Sequence, residues 1–227
     1  SNNFLTFDED GSLSVPVTYL DYDFDPLTVT VSSTNENISA TLSDSGFFVD
    51  LNPEPNFNGS TTITVSVDDG EALASTAFDV SVQAVNDPPQ MVSISNISTL
   101  EETSTSIGLN ATDIDGDTDF TFSASTSSNL FNVNVSGSTL EISPNENQVG
   151  TGSVVVSVSD GGLSSDNISF DVVIQNVNDA PVLSYIDTPD SALEDGDDIV
   201  VTLNASDVDG DDITFTANAS NSDLFES

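Results

Sequence analysis

Lysine, arginine, histidine, cysteine and tryptophan do not occur in this sequence of 227 residues. Without a cationic side chain there is no internal salt bridge to a carboxylate. Without Lys or Arg nothing neutralises phosphates, which excludes nucleic acid as a partner, and an anionic lipid surface repels the chain. Without cysteine there is no disulfide framework and no thiolate metal site. General acid–base catalysis would have to run on carboxylates and three tyrosines alone, so the chain reads as not an enzyme. Long apolar runs are missing as well. No stretch could span a bilayer, so direct membrane insertion is not expected, and no signal-peptide pattern is visible. The ends, "SNNFLTF" and "SDLFES", read as those of an internal piece of something longer.

What is present is acid: 39 Asp plus Glu give a formal net charge of -39. Charge of this size points towards disorder. Leu, Ile, Val and Phe together nevertheless stay well above the ~20% below which a highly charged chain fails to build a core. Acids that cluster in a fold need counter-charge from outside, and a dissolved divalent cation is the obvious source.

The acids recur at one period of about 92 residues. Glu9-Asp10 returns as Glu101-Glu102 and Glu194-Asp195. "DYDFD" from Asp21 returns as "DIDGD" from Asp113 and "DVDGD" from Asp207. Glu54 returns as Glu146, and "VDDG" ending at Gly70 as "VSDG" ending at Gly161. "VNDPP" at Val85 returns as "VNDAP" at Val177. The expected organisation is repeat one over 1–88, repeat two over 89–180 and the start of a third over 181–227.

Within each period the pattern is β. Ile63, Val65 and Val67 alternate with polar residues, as do Phe78, Val80 and Val82, and Phe170, Val172 and Ile174. Repeat two shows seven runs, near 91–95, 104–111, 119–125, 130–136, 138–142, 152–159 and 167–177, with Asp, Gly, Asn and Pro in most of the gaps. Seven short strands in such a period predict an all-β chain of tandem, seven-stranded Greek-key β-sandwiches of Ig-like type. Pro16, inside a good strand, predicts an edge or a bulge there.

Hard cations take oxygen ligands, and Ca2+ takes six to eight of them. Asp-x-Asp supplies two carboxylates from one loop. Asn-Asp adds an amide oxygen and another carboxylate, and the prolines behind it remove competing N–H donors. Any one Asp-Gly phrase is satisfied by a solvated turn. Five acidic positions recurring together, with no cation to pair them, favour metal. An EF-hand is excluded, since counting from Asp113 puts Thr118 and Ala124 at the sixth and twelfth positions, where Gly and Glu are needed. "DSG" at Asp44–Gly46 matches the aspartic-protease triplet but has no second copy, and reads as a turn.

Glu9-Asp10, Asp21-x-Asp23, Glu54, "VDDG" and "VNDPP" together resemble the cadherin-like repeats of bacterial and marine surface proteins, most closely the VNDxP tandem repeats of giant adhesins. The resemblance covers essentially the whole chain. It implies cadherin-like sandwiches joined end to end with Ca2+ at the junctions. Carried over by residue, a first metal site would take Glu9, Glu54, Asn86, Asp87, Asp113, Asp115 and Asp160. A second would take Glu101, Glu146, Asn178, Asp179, Asp207 and Asp209. Asp21, Asp23 and Asp69 would face a preceding repeat, and Glu194 would serve a following one. The linkers depart from the cadherin pattern at Ala84, Asn176, Pro88 and Ala180, which implies fewer ions per junction and fewest at the first.

The implied function is a calcium-rigidified extracellular spacer or stalk in a secreted or cell-surface adhesin. The alternatives are a subunit of an extracellular filament and a carbohydrate-binding module. Expected partners are the neighbouring repeats, with glycans, other surface proteins or further copies of the chain as candidates.

Overall fold

The structure is a computed structural model that describes residues 4–187 and 199–218. Contacts divide it into two compact units. The first contains Ser1–Met91, Ala111–Thr121 and Val158–Asp166; the second contains Val92–Asn110, Phe122–Ser157 and Asn167–Ser227.

Seven strands build the body of the first unit: β1 (Phe4–Asp8), β2 (Leu13–Pro16), β3 (Thr28–Ser33), β4 (Ile38–Leu42), β5 (Phe48–Pro53), β6 (Gly59–Asp68) and β7 (Leu73–Gln83). They form a four-stranded sheet, β1-β7-β6-β3, and a three-stranded sheet, β2-β5-β4. Pairing is antiparallel except for β1, which runs parallel to the end of β7, Phe4 opposite Asp79 and Asp8 opposite Gln83. The alternation seen in sequence is the packing. Val49 and Leu51 from one sheet meet Ile63, Val65 and Val80 from the other, with Leu5, Val15 and Val31 against them. Complete burial of such a side chain contributes about 1.5–3 kcal/mol. Pro16 ends β2 on the edge of its sheet, where no neighbour needs its missing N–H.

The next period supplies β8 (Gln90–Met91), β9 (Ile97–Leu100), β10 (Thr105–Gly108), β11 (Ala111–Thr112), β12 (Thr121–Thr126), β13 (Phe131–Ser136), β14 (Thr139–Pro144), β15 (Gly150–Ser159) and β16 (Ile168–Gln175). The second unit repeats the two-sheet design, with β12-β15-β16-β9 and β10-β14-β13. Phe131, Leu140, Ile142, Val154, Val156, Phe170, Val172 and Ile174 are buried there. β8 pairs with β11 in the first unit, and β17 (Val182–Leu183) pairs with β18 (Ala205–Ser206) in the second. Every element among the described residues is a strand, as expected.

Two of the seven expected runs need correction. The run near 91–95 is a strand only at its start, and Ile97–Leu100, absent from the expected set, pairs in parallel with β16. The segment between them changes partners. Val92 N–H still donates to Asn110 O, whereas the Asn96 side chain already accepts from Asp171 N–H within β16. The run 104–111 is likewise split in two, β10 and β11. Apolar periodicity reports a face, and does not report which strand edge a segment lies along.

Candidate metal centre

Glu9 follows β1 directly and is 4% exposed. Its backbone N–H donates to Gln83 O, and its Oε1 accepts from Val85 N–H at 2.7 Å. The parallel β1–β7 ladder therefore ends by clamping a carboxylate against the "VND" phrase. Asp10 then takes a left-handed backbone (φ 59) and turns the chain away. The same construction recurs at Glu101, 2% exposed, with Val177 N–H donating to Oε1 at 2.8 Å and Glu102 at φ 59.

Asp87 follows. Its N–H donates to Asp115 Oδ2 at 2.7 Å, and Asp115 N–H donates to Asp113 Oδ1 at 2.8 Å, the side-chain turn that the Asp-x-Asp spacing favours. In the second copy Asp179 N–H donates to Asp209 Oδ2 at 2.6 Å and Asp209 N–H to Asp207 Oδ1 at 3.0 Å. Asp160, in the β15–β16 connection, accepts from Gly162 and Leu163 N–H through Oδ1 and from the Asn86 amide through Oδ2 at 2.9 Å. A Cβ on Gly162 would lie 3.4 Å from both Asn86 Nδ2 and Asp160 Oδ1, an ordinary van der Waals contact, so the backbone passes directly beside this pair.

Four sets of three acids result among the described residues: Glu9, Asp87 and Asp115; Glu101, Asp179 and Asp209; Asp113, Asp117 and Asp160; and Asp207, Asp209 and Asp211. Within each set one oxygen per residue lies within 4.8 Å of the others. Burial pushes the Asp87 carboxyl above its ordinary value of 3.8, and the carboxylates of Asp115, Asp10, Glu9 and Asp113 push it further. Asp179 is raised in the same way, by burial first and then by Asp209, Glu101, Asp207 and Glu146. Asp160 is held low by the Asn86 amide and by the N–H groups of Leu163 and Gly162.

The donor set fits a hard divalent cation. Glu9 Oε2, Asp87 Oδ2 and Asp113 Oδ2 are buried with no hydrogen-bond partner. Buried polar atoms are almost always partnered, and three orphaned carboxylate oxygens, from Glu9 and Asp87 of one set and Asp113 of another, in a chain with no Lys, Arg or His, leave a metal ion as the fitting counter-charge.

The expected ligands fare unequally. Glu9, Asp87 and Asp115 form one set in the first unit, and Asp113 and Asp160 join Asp117 in another, with Asn86 holding Asp160. Glu101, Asp179, Asp207 and Asp209 come together in the second. Asn178 donates to Asp179 O beside them. Glu54 and Glu146 are exposed and join no set of three, although Glu146 is near enough to raise Asp179. Asp21, Asp23 and Asp69 join none; Asp21 accepts from Asp23 and Asp25 N–H, and Asp69 from Glu71 and Ala72 N–H. Glu194 lies outside the described residues. Asp117 and Asp211 were not among the expected ligands. Their signal was the third acid of the "DIDGD" and "DVDGD" phrases.

Tandem two-sheet sandwiches whose recurring acids gather into oxygen-lined sets define the class: an Ig-like, cadherin-like repeat protein. The chain belongs to the bacterial Ig domain family, whose family model matches residues 1–82 and again residues 86–173. Among solved structures, the EC1-2 fragment of human protocadherin-24 (form II) is similar with a TM-score of 0.52 at 17% identity, over 77% of this chain and 95% of that one. That likeness shows the fold. The EC1-2 fragment of human mucin-like protocadherin reaches a TM-score of 0.45 at 17% identity, over 77% and 96%. An endo-fucoidan hydrolase from glycoside hydrolase family 107 reaches 0.34 at 18% identity, over 77% of this chain, which spans 28% of that hydrolase's length. No curated protein sequence matches the chain.

Proposed function

We propose that the chain is a calcium-rigidified spacer of an extracellular or cell-surface adhesin of the VNDxP type, with repeats over 1–88, 89–180 and from 181 onward. The observation that carries this reading is the unpartnered buried trio Glu9 Oε2, Asp87 Oδ2 and Asp113 Oδ2. One ion would take oxygens from Glu9, Asp87 and Asp115, and its counterpart from Glu101, Asp179 and Asp209. Asp113, Asp117 and Asp160 offer a further position. Bound Ca2+ supplies positive charge where carboxylates otherwise repel. It ties together phrases drawn from successive periods of the sequence, so the string stiffens when the ion binds. No residue here is assigned a catalytic role. No helix among the described residues is long and apolar enough to cross a membrane.

Extracellular modules of this kind bind calcium at ~10⁻⁴–10⁻³ M, so extracellular fluid loads them and cytosol does not. At a hundredfold excess over Kd each site adds about 2.7 kcal/mol to stability. A calcium titration followed by melting temperature tests the reading, and Tm should climb through the millimolar range. Small-angle scattering should show a broader distribution of end-to-end distances in chelator. A Tm and a scattering profile both indifferent to calcium would overturn the proposal.

One observation favours a second reading, a carbohydrate-binding module. Tyr22 and Phe24, in the first Asp-rich loop, are 87% and 88% exposed, and exposed aromatic rings are what a sugar face stacks on. A glycan array probed with wild type and with Tyr22→Ala separates the two.

A further inference from the structure

The first period carries aromatic rings where the other two carry smaller residues. The Asp-x-Asp phrases align Asp21 with Asp113 and Asp207. Tyr22 then stands where the other copies have Ile114 and Val208, and Phe24 where they have Gly116 and Gly210. Ile114 and Val208 both lie behind a complete period and are still 64% and 56% exposed, so this position faces solvent whatever precedes it. A third ring belongs to the set. Val17 N–H donates to Phe47 O at 2.9 Å, as Leu109 N–H donates to Ser138 O at 2.8 Å, which matches Phe47 with the exposed Ser138. Phe47 is 61% exposed. It ends a connection that runs over 43–47 between β4 and β5, where residues 137 and 138 suffice between β13 and β14. The Tyr19 hydroxyl donates to Gly46 O at 3.0 Å and fastens this longer turn to the segment that enters the Asp-rich loop.

These rings do not serve the core. Phe24 holds a left-handed backbone (φ 65), the conformation that Gly116 and Gly210 adopt at φ 86 and φ 80. An aromatic residue is strained there, and a ring this exposed recovers none of the cost by packing. Strain kept without a packing return marks a functional surface, and so do large apolar side chains gathered in solvent. Charge selects the occupant. Asp23 and Asp25 are exposed and alternate with the two rings, while Asp21 Oδ1 is taken up by the N–H groups of Asp23 and Asp25 at 2.8 and 3.1 Å. The chain itself has no cation to offer either carboxylate. A ligand with a flat apolar face and a positive group complements both halves of the loop, and cations are drawn to ring faces as well. Sugars bearing carboxylate or sulfate are repelled by the net charge of -39.

We propose that the loop carrying Tyr22 and Phe24 binds a polysaccharide of unacetylated amino sugars. Tyr22 and Phe24 stack on the sugar faces, Asp23 and Asp25 take the ammonium groups, and Phe47 offers a further ring from the neighbouring turn. This ligand class rests on the carbohydrate-binding reading above and is independent of the calcium one.

Titration calorimetry of the full chain with a β-1,4-linked glucosamine hexamer tests this, in excess chelator and at a mildly acidic pH that keeps the amines protonated. Salt at about 0.15 M screens diffuse attraction beyond about 8 Å. The hexamer should bind about tenfold or more tighter than its fully N-acetylated counterpart and than hexalysine. The double variant Tyr22→Ile/Phe24→Gly installs the residues of the second period, so it should keep the fold and melt no lower than wild type. It should lose about tenfold or more of the affinity for the glucosamine hexamer. Equal binding of the N-acetylated hexamer would overturn the ammonium pairing and leave the carbohydrate reading standing. Equal binding of hexalysine, or a double variant that binds as wild type does, would give the attraction to diffuse charge and overturn the site. If neither sugar hexamer binds, this proposal and the carbohydrate reading fall together and the calcium reading is untouched.

Discussion

At the scale of single residues, the buried carboxylates decide the sign of what calcium does. Glu101 is 2% exposed and lies against Asp179 and Asp209. Glu101→Gln keeps its shape and the acceptor for Val177 N–H while removing a charge. Tm in chelator should therefore rise, and the increment added by millimolar calcium should shrink; thermal melts with and without calcium check both signs. The pH dependence follows from the same crowding. Asp87 and Asp179 hold a proton more readily folded than unfolded, so their contribution to metal-free stability falls as pH rises through their raised values. Asp69 and Asp160 are depressed, Asp69 chiefly by the N–H of Ala72 and Asp160 chiefly by the Asn86 amide. Their stabilisation is present above the ordinary 3.8 and is lost as pH falls through their folded values. A metal-free melting series should thus climb as pH is lowered from about 7 towards about 4 and turn down below that. A Tm falling monotonically from neutral pH would contradict the assignment.

At the scale of strands, the two periods solve one packing problem with different volumes. β15 places Gly152 where β6 has Thr61, and β13 begins with Phe131 where β4 begins with Ile38. A Cβ at Gly152 would lie 2.5 Å from Ser128 Oγ and 2.8 Å from the Phe131 ring, which is itself 1% exposed. Gly152→Ala should cost about 1–3 kcal/mol through overpacking. The smaller partner, Phe131→Ile, should restore part of that loss in the double variant, a coupling that chemical denaturation of all four chains measures. In the first period the large partner is absent, and Thr61 instead shares hydrogen bonds with Ser33 and Thr34.

At the scale of the whole chain, a net charge of -39 with no cation makes self-repulsion a standing cost of the folded state. Monovalent salt screens it, since the Debye length shrinks from about 30 Å at 0.01 M to about 8 Å at 0.15 M. Metal-free Tm should rise over that range, and the rise should be smaller in saturating calcium, where the closest repulsions are already replaced by ligation. A calorimetric series at several sodium chloride concentrations, with and without calcium, checks this. It also separates the screening of diffuse charge from the filling of specific sites, because only the latter saturates.

Repeat period, β class and most of the acidic sets were legible in the amino-acid order, because each is a local or periodic property. Alternation marks a strand whichever sheet it joins, and Asp-x-Asp closes its own side-chain turn, as Asp113 does with Asp115. Three-dimensional packing decided the rest. It buried Glu9 and Glu101 against the "VND" phrases while leaving Glu54 and Glu146 in solvent, although all four recur with the same regularity. It brought Asp117 into a set with Asp113 and Asp160. It also sent Ile97–Leu100 to β16. Which carboxylates converge, and which strand edge a segment covers, depend on contacts between residues far apart in the chain, and a period in the sequence carries no record of those distances.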